Sequence, residues 1–107
     1  MTPWYERIIA AHLAVTDQVS HGARMKSRRY FVWQEEGRRD LEAENRHIEK
    51  AMSGITDLWT DVELDPWADQ LEEALDNAGI AWRRSLGAAY DEERGIWHVQ
   101  WSWCVYG

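Results

Sequence analysis

From Ile96 to Tyr106 apolar and polar residues alternate strictly. Trp97, Val99, Trp101, Trp103 and Val105 fall on one side, His98, Gln100, Ser102 and Cys104 on the other. A period of two predicts a β-strand with one buried and one wetter face. Two stretches follow a helical period instead. Trp4, Ile8, Ala11 and Val15, widened by Tyr5, Ile9 and Leu13, predict an amphipathic helix over about residues 3–15, with Thr2 as hydroxyl cap and Pro3 as first helical residue. Trp67, Leu71, Ala74, Leu75 and Ala78 oppose Asp69, Glu72, Glu73 and Asp76, so a second helix is expected from the Asp65-Pro66 start to Gly79.

The remaining segments are shorter. A brief strand is expected around Val19, and aromatic and branched residues predict another over Arg29–Trp33, followed by a charged stretch with a turn signal at Gly37. Ile80–Leu86 reads as a strand directly after the second helix, and Asp91–Gly95 as a turn-rich connection. Residues 40–53 are ambiguous. Propensity favours a helix, whereas His47–Trp59 also reads as one long strand with a glycine bulge at Gly54. A run of strands with two helices gives an α+β fold: one domain over 1–107, with a mostly antiparallel sheet of four to five strands and two helices packed on one face.

The chain is 45% hydrophobic over 107 residues, enough for one core, and holds eight tryptophans suited to cores and interfaces alike. The net charge of −7 argues against nonspecific binding to DNA or anionic membranes as the main role. The charge is segregated. Arg24, Lys26, Arg28 and Arg29 open a basic stretch, while Asp61, Glu63, Asp65 and Asp69 open one without Lys or Arg. Two such patches allow head-to-tail attraction between copies. The candidate subunit interface is therefore Arg24, Lys26, Arg28, Arg29, Asp61, Glu63, Asp65 and Asp69, with Trp97 and Trp103 as exposed hot-spot residues. Reversal of Arg28 and Arg29 to Glu is expected to weaken assembly at low salt.

Little points to catalysis. Cys104 is the single cysteine, so neither an intrachain disulfide nor a cysteine-based zinc site is available. On a regular strand it lies about 20 Å from His98, too far for a thiolate–imidazole pair. The four histidines form no ligand motif, the adjacent carboxylates sit in polar stretches, and no phosphate-binding or nucleophile motif occurs. We expect no enzyme activity, cofactor, metal or small-molecule substrate. The basic-aromatic run Arg24–Trp33 is a weak nucleic-acid signal, and nothing resembles a signal peptide or a membrane span.

One resemblance adds a role. A strand ending Leu58-Trp59-Thr60-Asp61, an acidic helix Trp67–Ile80, then Ala81-Trp82-Arg83-Arg84-Ser85, the charged linker Tyr90–Arg94 and a final aromatic strand come in that order. This string resembles small tailed-phage proteins of the head–tail junction: minor capsid, tail-completion or tail-terminator proteins. The resemblance implies a strand over about 46–60. It also implies a subunit that forms a ring, often a hexamer, with tail-tube and head-connector proteins as partners and DNA only passing through the channel. The expected location is the virion head–tail junction, and the bacterial cytoplasm during assembly. A bacterial adaptor module is the alternative.

Overall fold

The structure is a computed structural model and describes residues 2–40 and 50–106. The elements are α1 (Trp4–Leu13), β1 (Val19–His21), β2 (Arg29–Asp40), β3 (Lys50–Thr60), α2 (Pro66–Asn77), β4 (Ala81–Asp91) and β5 (Ile96–Tyr106). The five strands form one sheet in the order β1-β2-β3-β5-β4. Every pairing is antiparallel except β1 with β2, so the α+β expectation holds with a mixed sheet.

Cross-strand partners share a face, and the register therefore sorts the residues. Phe31 pairs with Leu58 and Leu58 with Val99; Trp33 pairs with Thr56 and Thr56 with Trp101. This face carries both helices. Ile8 and Ala11 of α1 and Ala68, Leu71 and Leu75 of α2 close over Phe31, Trp33, Leu58, Val99, Trp101, Trp103 and Val105 in one core. The alternation in β5 thus faces as its period predicts.

Several local expectations change. Pro3, not Thr2, occupies the cap of α1, with extended backbone and no side-chain hydrogen bond; its carbonyl accepts from the amides of Glu6 and Arg7. The helix begins one residue later than expected, and the Thr2 hydroxyl lies outside it. Gly37 does not turn the chain. β2 runs on to Asp40, and Glu36 is an extra residue at a bulge between Glu35 and Gly37. Gly37, at φ 153°, takes up the distortion.

The bulge is therefore on β2 and not at Gly54. Gly54 instead makes room for a tryptophan. A Cβ there would run into the Trp103 indole and the Gln34 carbonyl. The absent side chain is what lets Trp103 lie flat on the sheet. Lys50–Thr60 is strand, as the resemblance implies, and the helix reading fails for Lys50–Ser53. Residues 41–49, which carry the rest of that ambiguity, lie outside the described residues.

α2 matches its pattern closely. The Asp65 carboxylate accepts from the Trp67 amide at 2.9 Å, Pro66 takes the first turn, and the Ile80 amide reaches back to the Leu75 carbonyl past Gly79. The deepest polar group is on α1. His12 is fully buried, with Nδ1 2.7 Å from the Ile8 carbonyl and Nε2 2.9 Å from the Thr56 hydroxyl. A carbonyl only accepts, so Nδ1 carries the proton and the Thr56 hydroxyl donates to Nε2. The Trp103 indole N–H completes the chain by donating to Thr56 at 2.9 Å. Burial pushes the His12 pKa down from 6.5 to about 4, against the opposing pull of the Ile8 carbonyl, so the ring is neutral at neutral pH.

Candidate interaction surfaces

The basic and acidic segments meet inside one chain. The loop 22–28, the β3–α2 loop and the β4–β5 turn gather at one end of the sheet. There Arg28 approaches Asp61 at 3.6 Å and donates to the Gly95 carbonyl at 2.7 Å. Arg29 grips Asp65 with two N–H groups, at 2.8 and 2.5 Å, while its guanidinium lies 3.8 Å over the Trp67 ring. The Thr60 hydroxyl adds a third donor to Asp65, at 2.6 Å. Burial alone would push the Asp65 carboxyl up. The bonds from Arg29, Thr60 and the Trp67 amide outweigh it and hold the carboxyl below its usual range, and the same hydrogen bond raises Arg29.

Arg29 and Asp65 are thus internal fastenings of β2, β3 and α2, not free interface charges. Reversal of Arg28 and Arg29 would unsettle the fold before it tested assembly. Trp103 also leaves the interface set. It is 2% exposed and packed on Gly54, because it shares the apolar side of β5 with Val99 and Val105. Trp97 is half-buried, with Tyr90 edge-on at 5.0 Å. Arg24, Lys26, Asp61, Glu63 and Asp69 are exposed. Beside them Leu64 is 83% exposed and sits at φ 53°, a backbone conformation that favours glycine.

The face away from the helices is open. Trp59 and His98 stack in parallel at 3.9 Å, and the Arg94 guanidinium lies 4.2 Å from the Trp59 ring. Asp57 accepts from His98 Nε2 at 2.6 Å and from Gln100 at 2.9 Å. Farther along, Ser53, Ser102, Cys104 and Ala81 form the floor of a shallow trough of about 570 Å³, with Glu36 and Arg83 also lining it. Among the described residues both sheet edges are partly bare. β1 covers β2 only as far as Trp33, and β4 borders no further strand among the described residues. Also among the described residues, no group of three or more His, Cys, Asp or Glu could hold a metal ion, and no helix is long and apolar enough to cross a membrane.

This sheet, with its helices on one face, has a counterpart among solved structures. The fold is similar to that of one chain in a solved particle. That structure is described as "Virion of native gene transfer agent (GTA) particle"; the two chains are 12% identical with a TM-score of 0.56, over 95% of this chain and 89% of the other. The sequence matches no protein-family model and no curated protein.

Sequence reasoning missed the Trp59–His98–Asp57 cluster and the rim charges Glu36 and Arg83. Half the signal was present, since Asp57 and Trp59 alternate out of β3 as His98 and Gln100 do out of β5. What brings them together is the pairing of Trp59 with His98, which no local pattern encodes.

Proposed function

We propose that this chain is a structural subunit of a phage or phage-like virion. In the finer form of this reading it is a tail-terminator or head–tail joining protein that assembles into a ring at the junction. The observation that carries it is the fold shared across nearly the whole chain with a component of a gene transfer agent virion. The string of elements from Leu58 to the final strand supports the junction assignment by its resemblance to that family. In this role the chain is not an enzyme: it works through surfaces that contact other virion proteins, and DNA only passes it.

The test has two stages. Particles purified from the producing cell are digested, and the chain is sought by mass spectrometry. Deletion of its coding sequence then yields full heads and tails that remain unjoined, seen by negative-stain microscopy. Absence from particles rejects the virion role. Presence with intact joining in the deletion strain rejects the junction role and leaves another structural position.

A further inference from the structure

The charges expected to bind a second copy are largely engaged within the chain, which leaves the question of what a copy would bind. Glu36 and Arg83 are exposed, and neither side chain has a hydrogen bond or ion pair among the described residues. They flank the same open trough from opposite sides, one on β2 and one on β4. Register places them at nearly the same height. Gln34 pairs with Ile55, Ile55 with Ser102 and Ser102 with Arg83; Gly37 pairs with Ser53, Ser53 with Cys104 and Cys104 with Ala81. The bare stretch of β2 beyond Trp33 is therefore level with the first residues of β4.

Strand direction also suits a join. Three antiparallel steps separate β2 from β4, so β4 runs opposite to β2. Copies related by rotation about an axis along the strands would bring β4 of one beside β2 of the next in antiparallel order. The bulges of β4 begin after Arg84 and leave Ala81–Arg84 regular. A free, regular edge segment is a template for strand pairing. The two edges differ, so the contact is heterologous, the kind that a closed ring requires.

We propose that a second copy of this chain docks on the β4 edge, with the bare stretch of its β2 antiparallel to Ala81–Arg84 and its Glu36, set out by the bulge, reaching Arg83 diagonally across the join. The acidic rim of one trough then meets the basic rim of the next, and the open faces join into one lining with helices outside. The proposal rests on the ring-forming reading above and supplies its contact.

Cross-linking tests it. In a Cys104→Ser background, Glu36→Cys and Arg83→Cys are combined and the concentrated protein is oxidised gently. Within one chain these positions are three strand spacings of about 4.8 Å apart, beyond the ~7 Å limit for a disulfide, so any bond between them joins copies. The expected result is a ladder of multiples of the 12.6 kDa chain, with peptide mapping linking position 36 to position 83. Circular dichroism confirms that the variants fold. In the cysteine-free background, Arg83→Glu shifts the light-scattering mass toward monomer and added Glu36→Arg restores it. No 36–83 link at any concentration reached, or links only between like positions, overturns the proposal. Detection in particles without a 36–83 link leaves the virion role standing and removes this contact; a 36–83 link with absence from particles does the reverse.

Discussion

The two faces of the sheet are cut from the same strands and treat polar groups in opposite ways. On the helix-covered face the polar groups are enclosed: His12, Thr56 and the Trp103 indole form one directed chain, and Arg29, Thr60 and Trp67 surround Asp65. On the open face Asp57, His98 and Gln100 also satisfy one another, yet they keep some contact with solvent beside Trp59. A buried polar group with one partner removed bears its full desolvation cost, whereas one in contact with solvent falls back on water. The covered face is therefore the one that fixes the fold, and the open face is the one free to exchange contacts with another protein.

Adjacent residues of β3 break this contrast most sharply. Gly54→Val drives a branched side chain into Trp103 and should cost roughly 3 kcal/mol, read as a large fall in the urea midpoint. Ile55→Thr, one residue away on the open face, should cost about 1 kcal/mol. Urea titration followed by tryptophan fluorescence separates the two.

Acid gives the next largest effect. The His12 pKa falls from 6.5 in the unfolded chain to about 4 in the fold, so the folded state binds fewer protons between those values. The stability is fully present above pH 6.5 and is lost as pH falls toward 4, by about 3 kcal/mol at most. His12→Leu should lower the urea midpoint at neutral pH and flatten its dependence across that window; an unchanged slope would refute the buried neutral ring. Asp65 acts lower on the scale. Its depressed carboxyl contributes stability above its unfolded value of 3.8 that is lost below it. Asp65→Asn should cost about 2 kcal/mol at neutral pH and remove that second phase.

Trp59→Ala on the open face should be mildest. Loss of the His98 stack and the Arg94 contact amounts to about 1 kcal/mol. A loss above that of Asp65→Asn would mean that the open face holds the fold together as well.

What the sequence disclosed follows from how far each signal reaches. The Asp65-Pro66 start, the acidic stripe of α2 and the alternation in β5 are local, and each appears in the structure where its period puts it. Trp103, expected above as an exposed hot spot, follows that period instead and lies in the core beside Val99, Trp101 and Val105. The Arg29–Asp65 fastening spans 36 residues, and the bulge at Glu36 depends on the strand it pairs with. Neither has a local period. The charge segments showed that opposite signs exist, but not that they meet inside one chain.

The position of β5 bears on how the protein is made. It lies between β3 and β4 in the sheet yet comes after both in the sequence. Until residues 96–106 leave the ribosome, β4 has no neighbour and Leu58 of β3 lacks Val99 beside it. The sheet is completed only once β5 has been made, through pairings between distant residues that form slowly. During that interval the bare edge of β3 is exposed to other nascent chains, so yield from fast expression should improve on cooling.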